Sequence, residues 1–321
     1  MSKKSIISSD IKKAATILTG NDVVAIPTET VYGLAGNIFS KDAIDKIYQV
    51  KNRPSFNPLI VHIHSVKQIE ELASEFPEKA KQLAKAFWPG SLTLVLPKKE
   101  IIPDWITAGK NTVGLRIPNH RVTLELLKSL GFPLAAPSAN PSNRISPTKS
   151  SHVDDYFKDK IQMVLEGGQC KNGIESTIIG FENGEPILYR LGSIATEDIE
   201  SVIGKISIKN KEESTPNAPG MLLKHYSPTT KTYLVDDIDE FLKTISNKKI
   251  GVLKFDNSST SINVTHNEIL SIKGDLKEAT ANLYTALHKL DSLQLDVIVC
   301  ERLPETGLGK SINDRLERAA K

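Results

Sequence analysis

The sequence predicts an α/β protein: one twisted sheet of mixed direction with helices, followed by a smaller wound α/β unit. Three observations carry this. Short apolar runs alternate with stretches of helical periodicity through the first two hundred residues. A polar, lysine-rich, apolar-poor stretch follows, from Lys205 to Pro219. A second alternation of strand-like and helix-like segments then begins at Thr232. The expected divisions are residues 1–204, a linker over 205–230, and 231–321.

Asp10 is placed to cap a helix whose apolar face is Ile11, Ala14, Ala15 and Leu18, with Gly20 as its stop. Val23 to Ile26 is apolar throughout and reads as a buried strand. Ser40 starts a second helix with Ala43, Ile44, Ile47 and Tyr48 on one side. Further strands are expected at Leu59–Ile63, Leu92–Leu96, Val113–Ile117, Leu134–Ala136, Met163–Leu165, Thr177–Ile179 and Ile187–Leu191. Helices are expected between them near 66–73, 78–88, 120–130 and 151–157. Pro219 to Pro228, which contains Met221, Leu222, Leu223, His225 and Tyr226, is too apolar and aromatic for a free tether. In the second unit, Tyr233–Val235, Ile250–Leu253 and Val297–Cys300 read as strands. Ala279, Leu283, Ala286, Leu287 and Leu290 mark one face of a helix, and a last helix is expected from Ile312 to Ala320.

A length of 321 residues leaves room for two domains, and 39% hydrophobic with 25% charged residues is ordinary for a globular chain. No apolar run is long enough to span a bilayer. The start, Met1-Ser2-Lys3-Lys4-Ser5, lacks the apolar core of a secretory signal. Two cysteines, Cys170 and Cys300, make a disulfide framework implausible, so a reducing cytoplasm is the expected compartment. A net charge of +3 is too small to argue for nucleic acid by itself. Any anion-binding role must come from where cations cluster.

Near the C-terminus, Gly307-Leu308-Gly309-Lys310-Ser311 has the setting of a phosphate-cradling loop. The position that needs the first glycine of that pattern is Pro304, which has no N–H to donate. The segment reads instead as a glycine turn with Ser311 capping the helix.

The chemistry concentrates elsewhere. Pro27-Thr28-Glu29-Thr30-Val31-Tyr32-Gly33-Leu34 follows a strand, at the edge where open α/β sheets bind ligands. Lys51 and Arg53 follow the second helix, in a loop stiffened by Pro54 and Pro58 with Asn57 between them. Lysine offers a point charge to phosphate and arginine a planar fork. Thr112, Gly114 and Arg116 share one face of a strand, and an arginine there needs an anionic partner, either a structural carboxylate or one from a ligand. Small residues and prolines end another strand at Ala135-Ala136-Pro137-Ser138-Ala139-Asn140-Pro141-Ser142. Ser146, Glu175-Ser176-Thr177 and Arg190 complete the set. Four cations (Lys51, Arg53, Arg116, Arg190) at strand or helix ends match a triphosphate beside a carboxylate. Neither zinc-ligand spacing nor a catalytic triad emerges, so the site reads as one that positions and neutralises reactants.

These blocks, taken in order, resemble the two-domain threonylcarbamoyl-AMP synthases, in which a YrdC-like domain is followed by a small Rossmann-like Sua5 domain. The likeness runs through Pro27–Leu34, Lys51-Asn52-Arg53-Pro54, Asn57–His62, Trp88–Thr93, Val113–Pro118, Ser138-Ala139-Asn140, Glu175-Ser176-Thr177, Pro219-Gly220-Met221 and His225-Tyr226-Ser227-Pro228. It implies formation of threonylcarbamoyl-AMP and pyrophosphate from L-threonine, bicarbonate and ATP, with Mg²⁺ accompanying the ATP. The product would feed a downstream threonylcarbamoyl-transfer machinery that makes the t6A37 modification of tRNA, with a possible tRNA contact.

By matching position, Lys51, Arg53, Ser138 and Asn140 would form the signature tetrad. Thr30, His62, Arg116, Ala136 and Ser176 would lie near threonine. Arg53, Asn57, Thr112, Ser138, Ser146 and Arg190 would lie near ATP, with Lys51 at its phosphates and His225 and Tyr226 on a flap over the nucleotide. After Ser142 the family usually has glycine where this chain has Asn143, a residue that tolerates left-handed backbone. An alternative reading is a module that grips double-stranded RNA or tRNA without catalysis. A weaker one is carbamoyl transfer in metallocofactor maturation, which would require zinc-finger and acylphosphatase segments that this sequence does not display.

Overall fold

The computed structural model describes residues 6–210, 226–245, 248–257 and 264–320. Eleven strands form one sheet: β1 Ile6–Ser8, β2 Val24–Ile26, β3 Gly33–Asn37, β4 Ile60–His62, β5 Leu92–Pro97, β6 Thr112–Arg116, β7 Leu134–Ala135, β8 Met163–Leu165, β9 Thr177–Glu182, β10 Glu185–Arg190 and β11 Ser207–Ile208. Their spatial order is β1-β8-β2-β3-β7-β4-β6-β5-β9-β10-β11. Parallel pairs (β4 with β6, β5 with β9) alternate with antiparallel ones (β6 with β5, β9 with β10), so the sheet is mixed, as the sequence predicts. A second sheet holds β12 Lys231–Val235, β13 Ile250–Lys254, β14 His266–Ile269 and β15 Val297–Glu301 in the order β12-β15-β13-β14, all parallel.

The helices are α1 Ile11–Thr19, α2 Lys41–Lys51, α3 Ile69–Leu72, α4 Glu78–Phe87, α5 Asp104–Thr107, α6 Arg121–Ser129, α7 Ser150–Phe157, α8 Thr196–Ile203, α9 Ile238–Leu242, α10 Leu276–Asp291 and α11 Leu308–Ala319. Their ends follow local chemistry. The Asp10 carboxylate accepts from the Lys13 N–H, and the Ser40 hydroxyl accepts from the Ala43 N–H. Asn52 ends α2 in the left-handed conformation. Among the described residues, no helix is long and apolar enough to cross a membrane.

Each sheet buries apolar side chains against its helices. Leu34, Val61, Leu94 and Leu115 pack with Ile44 and Ile47 of α2 and Leu83 of α4. Alternation in β15 divides the small sheet: Ile298 and Cys300 pack with α10 and α11, whereas Val297 and Val299 pack with α9. Val31, Ile145 and Ile174, which belong to loops of the first unit, share the core of α10 and α11. The two units are therefore packed together next to those loops.

Several elements differ from expectation. Strand β3 is Gly-Leu-Ala-Gly-Asn, a composition of low strand propensity, and it forms because antiparallel neighbours stand on both sides of it. Strand β11 carries the large sheet into the stretch expected to be linker, through its pairing with β10. Strands β1 and β14 were likewise unmarked by sequence pattern. The last helix begins at Leu308, not Ile312. Ser311 does not cap it; its hydroxyl donates to the Gly192 carbonyl at 2.8 Å. Lys310 pairs with Glu197 at 2.7 Å, which accounts for the lysine of the phosphate-loop look-alike. Asn143 adopts φ 67°, so asparagine does supply the left-handed turn there.

Gly309 packs directly on residue 304: a Cβ at 309 would sit 1.9 Å from the Pro304 carbonyl oxygen. Gly309→Ala is expected to destabilise the chain by about 1–3 kcal/mol despite alanine's better helix propensity. A thermal midpoint equal to that of the unaltered chain would refute this packing.

Candidate functional site

The strands bring one row of side chains to one face of the large sheet. Parallel register places Ile60 beside Gly114 and His62 beside Arg116. Antiparallel register places Val95 opposite Gly114, and parallel register places Thr93 beside Ile178. Ile60, His62, Gly114, Arg116, Thr93 and Ile178 therefore face the same way. Arg190 joins them through a bulge. Leu188 opposes Ile179, yet Arg190 opposes Ile178, so one extra residue is accommodated. Regular pairing would set Arg190 opposite Thr177, on the other face.

A cleft of about 520 Å³, counting its open mouth, lies on this face. Thr30, His62, Arg116, Ala136 and Ser176 line it together with Arg53, Ser138, Glu175, Arg190 and Tyr226. Ile60 continues into an adjoining cleft that holds Thr112 and Gly114. Ile60 packs with Val95, Ile178, Ile187 and Tyr189 in a buried apolar cluster beside the cleft.

Each cation has a partner within the protein. Arg116 pairs with Glu29 at 2.7 Å and donates to the Thr30 hydroxyl at 2.9 Å, so the structural carboxylate foreseen as one option is present. Glu29 also accepts from the Asn119 N–H. Arg53 donates to the carbonyls of Asn57 at 3.3 Å and Pro58 at 2.8 Å, which closes its own loop around the guanidinium. Burial draws its pKa down to about 10. Arg190 donates to both the carbonyl and the hydroxyl of Ser176 at 3.0 Å.

Lys51 is the exception to the sequence expectation. It is 1% exposed, and its ammonium donates to the carbonyls of Ser138 and Asn140, each at 2.5 Å. Its own carbonyl accepts from the Ser142 N–H. Lys51 thus stitches the 138–142 loop to the end of α2 and does not line the cleft. Burial, then Arg53, pulls its pKa well below the usual lysine value. Asn140 also stands behind the surface, with its amide donating to the carbonyls of Pro141 and Arg144. Asn57 is buried beside the cleft. His225 lies outside the described residues.

The Nδ1 of His62, which lines the cleft, and the Oδ1 of Asn57 are among the buried side-chain atoms with no hydrogen-bond partner among the described residues. Burial, then Arg116, holds the His62 pKa at about 3, so its ring is neutral at ordinary pH.

Glu175 was marked by sequence only as part of the Glu175-Ser176-Thr177 segment, without a role, and Tyr284 and Arg315 were not among the expected site residues. Glu175 lines the cleft and accepts from the Ser146 hydroxyl at 2.6 Å, from Tyr284 at 3.0 Å and from Arg315 at 2.9 Å. Ser146 therefore lies one step behind the cleft, spent on Glu175. Burial alone would raise the Glu175 carboxyl, but Arg315 and Arg190 beside it hold it at about 2. The available signal was an arginine on the apolar face of α11, between Ile312 and Leu316; such a residue requires a buried anion.

Among the described residues, no group of three His, Cys, Asp or Glu could hold a metal ion. Both cysteines are buried free thiols.

Comparison with known proteins gives concordant results. Residues 16–192 match a family model described as "Telomere recombination", and residues 194–321 match one described as "Threonylcarbamoyl-AMP synthase, C-terminal domain". The threonylcarbamoyl-AMP synthase of Pyrococcus abyssi is 40% identical, with 97% of this chain and 94% of the relative covered. That of Bacillus subtilis is 40% identical over 97% of this chain and 92% of its own length. The crystal structure of P. abyssi Sua5 complexed with L-threonine superposes with a TM-score of 0.91, at 39% identity over 98% of each chain.

His152 and His288 stack at 3.9 Å where α7 meets α10, and burial holds their pKa values at about 3 and about 4. Together with His62, all three stay neutral when folded, whereas the unfolded chain protonates them near the ordinary imidazole value of 6.5. Stability is therefore fully present above that pH and is lost as pH falls toward the folded values. The thermal midpoint is expected to fall between about pH 6.5 and 4, and His288→Gln should flatten the slope. A midpoint independent of pH over that interval would contradict the neutral, buried state of these rings.

Proposed function

The chain belongs to the threonylcarbamoyl-AMP synthase family, and we propose that it forms threonylcarbamoyl-AMP and pyrophosphate from L-threonine, bicarbonate and ATP in the cleft described above. The observation that carries this reading is the convergence of two groups on one cleft. Thr30, His62, Arg116 and Ser176 suit a small zwitterion with a hydroxyl. Arg53, Ser138 and Arg190 suit a polyphosphate.

The threonine amine combines with bicarbonate to give a carbamate and water. A carbamate oxygen then attacks the α-phosphorus of ATP, and pyrophosphate leaves with the electrons of the broken P–O bond. The attacking group belongs to the substrate, so the protein needs no nucleophile of its own. Its task is to hold two anions together against their repulsion. Arg116 and the neutral His62 would anchor threonine. Arg53 and Arg190 would offset the triphosphate. Lys51 acts by position: it fixes the carbonyls of 138 and 140, and so aims Ser138 at the nucleotide.

Mg²⁺ fits only as part of the nucleotide. Glu175 is the one carboxylate among the residues that line the cleft, and its oxygens already accept from Ser146, Tyr284 and Arg315. The triphosphate oxygens would carry the ion, in keeping with the magnesium habit of binding through substrate phosphates. A grip on an RNA backbone needs exposed cations along a face. Arg116 and Arg190 are 4% and 5% exposed, which suits a small guest. We place the consumer of the product, a transferase acting on tRNA, outside this chain. The free buried thiols accord with a cytoplasmic setting.

Pyrophosphate release from ATP is expected to require both threonine and bicarbonate; release that persists without threonine would refute the substrate assignment. Lys51→Ala and Arg53→Ala should each lower it by about a hundredfold or more, since each removes two charge-assisted bonds of about 1.5–3 kcal/mol. Lys310→Ala, which breaks only a partly exposed pair with Glu197, should leave release within about twofold of the unaltered chain.

A further inference from the structure

The second unit reaches the cleft through side chains of α10 and α11, which also pack against Val31 beside Thr30. Arg315 of α11 donates to Glu175 through Nε at 2.9 Å, to the Leu191 carbonyl at 2.7 Å and to Asp314 at 2.6 Å. Its guanidinium also lies 4.8 Å from the centre of the Tyr226 ring. Tyr284 of α10 donates to both oxygens of Glu175, at 3.2 and 3.0 Å, and its ring stacks with Tyr226 at 5.9 Å. His288 of α10 contacts the Ser146 carbonyl at 3.1 Å. These contacts converge on Glu175 and Tyr226, which line the cleft, and on Ser146 one step behind it; Tyr226 belongs with the groups assigned to the nucleotide.

The groups assigned to threonine are held from the first unit. Thr30 is tied to Thr28 and Arg116. Arg116 is tied to Glu29 and Gly90. The Ser176 hydroxyl meets that of Thr93 at 2.8 Å.

We propose that Arg315, assisted by Tyr284, is a positioning residue for nucleotide binding: through Glu175 and the Tyr226 ring it lets the C-terminal unit set the shape of the ATP end of the cleft and leave the threonine end alone. This rests on the assignment of the two ends made above. The geometry favours it over simple charge burial. A lone carboxylate would be satisfied by one arginine, whereas this guanidinium divides itself among Glu175, its neighbour Asp314, a backbone carbonyl and an aromatic face. Apart from Asp314, those three groups come from separate segments, at 175, 191 and 226. Lysine has no planar fork to hold all three.

The test is calorimetric binding of ATP and of L-threonine, measured separately on the full chain. Arg315→Met is expected to weaken ATP at least about tenfold and to leave threonine within about twofold. Arg315→Lys should fall between Arg315→Met and the unaltered chain. Tyr284→Phe keeps the ring and loses only the hydroxyl, so it serves if Arg315→Met does not fold; it should weaken ATP several-fold with threonine unmoved. The proposal is overturned if folded Arg315→Met or Tyr284→Phe binds ATP as the unaltered chain does. It is equally overturned if threonine weakens in parallel with ATP. An unaltered chain that binds both ligands yet releases no pyrophosphate would refute the reaction and leave this inference standing.

Discussion

Fixed positive charge held out of water is the constraint around which this fold is arranged. A site for a polyanion needs cations in place before the guest arrives, and a buried cation without a partner is costly. The protein meets this with oxygen atoms already present. Lys51 takes two backbone carbonyls, Arg53 takes two more, Arg116 takes Glu29, and Arg315 takes Glu175. Carbonyl partners matter most near the nucleotide end, because they neutralise a cation only in part. A carboxylate beside every cation would cancel the attraction that the site requires.

The stiffness of the surrounding loops follows from the same constraint. The 136–148 loop is tied to the 27–34 segment by backbone bonds: Leu34 to Pro137, Ala139 to Tyr32, and Tyr32 to Pro147. Gly33 fits closely at this junction: a Cβ there would lie 3.1 Å from the Ala136 Cβ and press that neighbour aside by a few tenths of an ångström. The chain that re-enters the described structure at Tyr226 is anchored to the same loop, through the Ser227 N–H on the Asn143 carbonyl. Side chains that would contact the two substrates thus stand on segments braced against one another.

Much of this was legible in the linear chain, and for local reasons. His62, Arg116 and Ser176 each sit on or beside a strand that the sequence marks, so their common face follows from a period of two, and Thr30 stands in the loop after β2. The prolines around Arg53 and Ser138 announce rigid loops. The glycine–lysine–serine look-alike could be set aside because Pro304 removes a donor. Strands such as β3 were illegible because their composition argues against a strand and only their neighbours create one.

The sequence by itself determined the class of fold, the positions of the loops and the kinds of side chain available for charge neutralisation, because these depend on periodicity and on residues near one another in the chain. Tertiary structure alone decided where three of the charged groups point. Lys51 turns inward because the 138–142 loop brings two carbonyls to its ammonium. Arg190 reaches the cleft because a bulge shifts it by one residue relative to β9. Glu175 meets Arg315 across 140 positions of sequence. Partners so distant become neighbours only when the two units pack, and no local pattern encodes that.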